Sequence, residues 1–173
     1  MPTIFSHVAF VTIAGRAFAK ERTSFWVLAA FCSIAPDFDV VAFVFRIPYA
    51  HMFGHRGITH SITFAIFLGA LSAFVARRLL KSELSFGFNF IFFSTATFSH
   101  TFFDMMTDGG LGVALFAPFS GARFFLPWRP VEVSPIGADF FSYRGIAVIL
   151  SEFIWVWIPA ILIYVIKRLL SKS

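Results

Sequence analysis

The residues best equipped for chemistry in this chain are histidines and aspartates gathered in four short motifs. They are Ser6-His7, Ala35-Pro36-Asp37-Phe38-Asp39, His55-Arg56-Gly57-Ile58-Thr59-His60-Ser61 and Ser99-His100-Thr101-Phe102-Phe103-Asp104. His100 and Asp104 stand four apart, so on a helix both side chains leave one face and can hold the same ion. Mixed imidazole and carboxylate donors suit zinc, manganese or iron, and a single cysteine, Cys32, argues against a thiolate site. That count also excludes an intrachain disulfide and leaves the redox compartment unread. Glu152 is a further carboxylate inside an apolar run. An unpaired charge at such a place costs roughly 2.5–3.5 kcal/mol on insertion scales, so it needs a partner. The choices are a metal, a metal-bound water that it deprotonates, or Arg144 or Arg129. Arg56 lies between two histidines and carries a planar fork suited to phosphate, and it can equally neutralise Asp37 or Asp39.

Each motif also has a plainer reading. A lone histidine is commonly an interfacial or hydrogen-bonded residue. Pro36-Asp37-Phe38-Asp39 can be a helix-ending turn with side-chain-to-backbone bonds. Asp104 and Asp108 can cap the glycine-rich stretch that follows them, and His51 fits no ligand pattern and reads as an exposed loop residue.

The elements that must position these groups are apolar. Of 173 residues, 58% are hydrophobic and 13% charged, about half the charge that an ordinary soluble domain uses to solvate its surface. The net charge of +5 is not a nucleic-acid footprint. Its basic residues flank the apolar runs, as Arg16-Lys20-Arg22, Arg77-Arg78-Lys81 and Lys167-Arg168-Lys172, and no nucleic-acid partner is expected. The partner that this composition demands is a lipid bilayer.

Five apolar segments follow: 4–19, 25–47 (interrupted by Pro36, Asp37 and Asp39), 62–76, 84–103 and 146–166. Spanning the hydrocarbon takes roughly 20 residues, so the second, fourth and fifth are long enough, while the first and third need snorkelling flanks. The first segment has no basic n-region or cleavage site and is expected to be retained. The expected fold is an all-α, polytopic membrane helix bundle, one integral domain over residues 1–173. Residues 107–143 contain Gly109, Gly110, Gly112, Pro118, Gly121, Pro127, Pro130, Pro135 and Gly137, which break any helix. They read as an external interfacial cap, with Trp128 beside Arg129 at headgroup level.

Basic clusters after the third and fifth segments put those ends in the cytoplasm. Alternation then brings His7, Asp37, Asp39, His55, His60, His100, Asp104 and Glu152 to the outer part of the bilayer or just above it. Basic residues alone fixed that orientation, yet the acidic and imidazole groups gather at one level. A shared site is the expectation.

At these residues the chain resembles the membrane-bound, metal-dependent hydrolases of the YdjM type. The motifs that carry the likeness are Ser33-Ile34-Ala35-Pro36-Asp37-Phe38-Asp39, His55-Arg56-Gly57-Ile58-Thr59-His60-Ser61 and His100-Thr101-Phe102-Phe103-Asp104. Ala117-Pro118-Phe119-Ser120, Arg123-Phe124, Leu126-Pro127-Trp128, Ser151-Glu152 and Trp155-Val156-Trp157-Ile158-Pro159 follow in the same order. A remoter similarity is to zinc-dependent phospholipase C, whose ligand order matches His7, Asp37 or Asp39, His55 or His60, then His100 with Asp104. Those enzymes add a later histidine, whereas this chain has none after His100 and offers only Glu152. The expectation is therefore one or two divalent ions, with zinc foremost.

Together these readings imply a hydrolase of the bacterial inner membrane acting on a lipid phosphoester at the outer face. His7, Asp37, Asp39, His55, His60, His100 and Asp104 are the candidate ligands, Asp104 a candidate bridge between metals, Glu152 the general base and Arg56 the group that steadies developing charge. Two rivals share the same residues: a cation or proton transport protein, and a non-catalytic membrane module stabilised by metal.

Overall fold

The computed structural model describes residues 1–135 and 140–171. Gly137 of the expected cap and Lys172 of the last basic cluster lie outside the described residues. The chain is all-helical, with two isolated β-bridges and no strand among the described residues. Its helices are α1 (Ile4–Gly15), α2 (Thr23–Ile34), α3 (Val41–Val44), α4 (Ile62–Arg78), α5 (Phe86–Met105), α6 (Tyr143–Glu152) and α7 (Ile158–Leu170).

Two pairs of these run on as single rods. A 3₁₀ stretch, Ala35–Val40, joins α2 to α3 as Thr23–Val44, and a π-helical turn, Phe153–Trp157, joins α6 to α7 as Tyr143–Leu170. Both rods are long and apolar enough to cross a bilayer. By length and composition these two qualify, where five segments were expected. The reasons are local. α1 has only 12 residues, and α4 has 17 and ends on Arg77 and Arg78. α5 has 20, but its second half is diluted by Ser99, His100, Thr101 and Asp104.

Burial supplies the membrane argument that length does not. Val27, Phe31, Ile66, Phe67, Phe74, Ile91, Ile149 and Leu162 are exposed, while Ser6, His7, Asn89, Thr97, His100 and Asp104 are buried. A surface of large apolar side chains around a polar interior suits lipid. Helices are the natural elements there because each satisfies its own backbone hydrogen bonds.

Packing relies on small residues. α4 lies against α5, and its buried side is made of small residues, Ala65, Gly69, Ser72, Ala73 and Ala76, which permit close approach of neighbouring helices. A Cβ on Gly69 would sit 2.0 Å from the Ser94 Oγ, so no larger residue fits without moving α5. Phe25, Trp26, Ala29, Cys32, Phe93 and Ala96 fill the core between α2 and α5. Ser82 donates to the Glu21 Oε1 at 2.6 Å, tying the α4–α5 connection to the segment before α2.

The 3₁₀ stretch has a sequence cause. Pro36 has no N–H, which weakens the α-helical ladder and favours tighter winding. Asp37 and Asp39 both turn inward as a result, whereas Phe38 between them is 55% exposed.

The described part of the cap is irregular, as its glycines and prolines require. Its bridges pair Thr107 with Val131 and Val113 with Phe124. Arg123 fastens it to the loop below by donating to the carbonyls of His55, Arg56, Gly112, Tyr49 and His51. His51 itself is exposed, as expected.

Candidate metal centre

Three elements deliver four donors to a buried point. The 3₁₀ stretch brings Asp37, the turn Ile58–His60 brings His60, and one face of α5 brings His100 and Asp104. One donor atom from each lies within 4.8 Å of every other. His100 Nε2 is 3.2 Å from Asp37 Oδ1, and His60 Nε2 is 3.3 Å from Asp104 Oδ2 and 3.6 Å from Asp37 Oδ1. Around a tetrahedral zinc with bonds of about 2.0–2.1 Å, neighbouring donors stand about 3.3–3.4 Å apart. Three of the six donor spacings are close to that value, and the other three are within 4.8 Å.

None of those contacts has hydrogen-bond geometry. His60 Nε2, His100 Nε2 and both carboxylate oxygens of Asp37 and of Asp104 are buried without a hydrogen-bond partner. Orphaned polar atoms are costly, and six converging on one point call for an ion.

The surrounding shell fixes which nitrogens face inward. His100 Nδ1 is 2.8 Å from the Ser33 carbonyl, which can only accept, so Nε2 carries the free lone pair. In a 3₁₀ ladder that carbonyl's partner would be the N–H of residue 36, which proline lacks; Pro36 thereby keeps Ser33 available. Thr59 donates to Asp39 Oδ2 at 2.7 Å, so its oxygen accepts from His60 Nδ1 at 3.1 Å and turns His60 Nε2 toward the cluster. Burial opposes a charge on His60, but the carboxylates of Asp104, Asp37 and Asp39 outweigh it and hold the pKa well above the ordinary histidine value. A metal ion would have to displace that proton.

Arg56 completes the electrostatics. Only 1% exposed, it sets Nε 3.0 Å from Asp104 Oδ2, while Nη1 donates to the Gly109 carbonyl and Nη2 to Thr107 Oγ1. It therefore balances Asp104, not Asp37 or Asp39. Its backbone is left-handed, with φ 60°, as it is at Arg46 and Lys81 among the described non-glycine residues. The strain is held by its N–H on Asp39 Oδ2 at 2.9 Å and its carbonyl on Ala114 N–H at 2.9 Å. Three buried aspartates against one guanidinium leave two negative charges when the imidazoles are neutral. A divalent cation cancels them.

The other expected site residues take different places. Asp39 accepts from His55 Nδ1 at 2.6 Å, from Thr59 and from the Arg56 N–H, so its oxygens are occupied by protein donors. With Asp37 and His55 it still forms a second group of donor atoms within 4.8 Å of one another. His7 stacks on His100 with ring centroids 3.8 Å apart, buried and with both nitrogens unpartnered, but it stands outside both donor groups.

Glu152 is not brought to the cluster. Its carboxylate accepts from the Thr3 N–H at 2.5 Å, Thr3 Oγ1 at 2.6 Å and Ser6 Oγ at 2.5 Å, in place of Arg144 or Arg129. Ser6 Oγ in turn accepts from Trp157 Nε1 at 2.8 Å. A carboxylate at the start of α1 suits the positive end of that helix, so Glu152 locks the last rod to the first helix.

Thr59, Thr107, the Ser33 carbonyl and Gly109 were not foreseen as site partners. The only sequence signal was that Thr59 and Ser33 lie inside the motifs already singled out.

Comparison with known proteins agrees with a membrane location. The YdjM inner membrane protein family matches residues 1–172. The chain is 36% identical over 166 residues to the inner membrane protein YbcI of Escherichia coli strain K12, covering 94% of this chain and 95% of that protein. No solved structure matches. The match runs through every element that builds the buried cluster, and the chain belongs to the YdjM inner membrane protein family.

Proposed function

We propose that this protein is a membrane-embedded, metal-dependent hydrolase acting on a lipid phosphoester. The observation that carries it is the convergence of Asp37, His60, His100 and Asp104 with their donor atoms unpartnered. Two nitrogens and two carboxylates fit zinc. A divalent ion there supplies Lewis acidity and lowers the pKa of a bound water toward about 7. The phosphoester as substrate class is motivated by the remote sequence resemblance to zinc-dependent phospholipase C at Asp37, His60, His100 and Asp104; His7, first in that order, stands outside the donor set.

This chain's own residues divide the remaining work. Asp39 orients His55 through Nδ1, which leaves the other ring nitrogen to accept or return a proton. That role was expected of Glu152, whose carboxylate is taken by Thr3 and Ser6. Arg56 pairs with Asp104 and offers its remaining N–H groups to developing negative charge. All five rods and helices, α1, Thr23–Val44, α4, α5 and Tyr143–Leu170, are read as crossing the membrane, with apolar outer faces as the support.

One observation favours a second reading. Four protein donors fill a tetrahedral shell, whereas a catalytic zinc keeps a position open. A non-catalytic module stabilised by metal would look the same at the cluster, but it has no use for a separately oriented His55.

Orientation follows from the basic ends of α4 and α7. A reporter fused at the C-terminus should read as cytoplasmic and one inserted at Gly121 as external; the opposite pair of results reverses the side of the site.

Purified protein should carry zinc, and His60→Ala and His100→Ala should each strip it, while His51→Ala keeps it. Loading should weaken as pH falls, because the proton on His60 competes with the ion. Equal zinc in all three variants would end the ligand assignment.

His55→Gln should retain zinc and lower turnover by about 10²–10⁴, screened on phospholipids and polyprenyl phosphates. Glu152→Ala should retain zinc yet lose at least about 2 kcal/mol of stability, since three hydrogen bonds to a buried carboxylate disappear. Zinc lost from His55→Gln would make His55 a ligand, and full turnover in that variant would remove it from proton transfer.

A further inference from the structure

Beside the metal centre runs a groove of about 740 Å³, within the size range of small-molecule sites. Its walls are Ile4 and Phe5 of α1, Val40 and Phe43 at the end of the Thr23–Val44 rod, and Phe140 and Phe141 before α6. Ile4, Phe5, Val40, Phe43 and Phe141 are all exposed. A concentration of large apolar side chains at an opening needs an apolar occupant.

The inner end is different. It is lined by Tyr49, His55, Arg56 and Gly110. Gly110 has φ +86°, and a Cβ on it would stand 2.9 Å from both Arg56 Nη1 and Tyr49 Oη. The absence of a side chain keeps this polar floor clear. Arg56 is the partition between groove and cluster: it lines the groove, and its Nε is 3.0 Å from Asp104. Nη1 uses one N–H on the Gly109 carbonyl and Nη2 one on Thr107 Oγ1, while Nε faces Asp104 as an ion pair. A guanidinium has five, so Nη1 and Nη2 each keep one more for an anion.

We propose that this groove holds the hydrocarbon tail of a bilayer lipid, with the lipid's phosphate at the Arg56–Tyr49–His55 end. The assignment rests on the lipid phosphoester reading above and gives that substrate its place. Charge complementarity selects the occupant: an apolar trough ending on a buried cation matches an anionic lipid. Position supports it too, because the mouth lies between the end of one apolar rod and the start of the other, where membrane lipid is within reach. The lipid enters sideways from the bilayer, tail along Phe43 and Phe141, and its phosphate arrives one guanidinium away from Asp104.

The test uses the full chain in mild detergent, given dioleoyl phosphatidylglycerol and examined by native mass spectrometry, with zinc measured on the same samples. Wild type should retain one lipid per chain. Val40→Trp and Ile4→Trp fill the groove from opposite walls and should each retain about tenfold less, with zinc unchanged. Ile66→Trp, on the outer face of α4, should behave as wild type. Two walls guard against one variant failing to fold, and wild type supplies a further arm. Glycerol 3-phosphate at the lipid's concentration should not displace it, because the tail provides the hold. Full lipid retention in a folded groove variant, or displacement by glycerol 3-phosphate, overturns the proposal. Lipid retention that depends on the groove in a protein without zinc would leave the groove standing and remove the hydrolase reading.

Discussion

Three aspartates buried against a single arginine set the terms for this molecule. In an apolar surrounding an uncompensated carboxylate is costly, and here Asp37, Asp39 and Asp104 meet only Arg56 as a permanent cation. The remaining imbalance must be met by protons or by a metal. Much of the neighbouring structure has the form of a support for that arrangement. Asp39 receives three protein donors, Arg56 is fixed by the Gly109 carbonyl and Thr107, and Arg123 holds the loop that carries His55 and Arg56. Asp37 and Asp104 alone keep their oxygens free. Asp39 thus orients its neighbours, while Asp37 and Asp104 are left to face an ion.

Local backbone features serve the same end. Pro36 tightens the second rod just where two aspartates must both turn inward, and the Ser33 carbonyl before it fixes the tautomer of His100. The π-helical turn after Glu152 lies where the last rod meets α1, and Trp157 within it reaches Ser6. Glu152 and Ser6 then hold α1 in the register that stacks His7 on His100.

Much of this was legible beforehand. The apolar runs lie where the helices form, and the spacing of His100 and Asp104 placed both on one face of α5, where the structure has them. The rank order of Asp37 and Asp39 was not legible, because it depends on which of the two meets Thr59, His55 and the Arg56 N–H, a matter of three-dimensional approach. Glu152 illustrates the same limit. Its partners, Thr3 and Ser6, are nearly the whole chain away, and hydroxyl groups carry no charge pattern to mark them. The expectation of five spans rested on apolar length, a criterion that α1 and α4 fall short of while their outer faces remain lipid-like. The burial of polar residues inside an apolar shell is visible only once the helices are packed.

Zinc K-edge X-ray absorption of the purified protein reads out whether imidazole and carboxylate of the cluster hold a metal ion. Nitrogen and oxygen neighbours only are expected, at about 2.0–2.2 Å, with outer scattering from two imidazoles. A sulfur neighbour at about 2.3 Å would move the metal to Cys32, and a shell without imidazole scattering would contradict the assignment of His60 and His100.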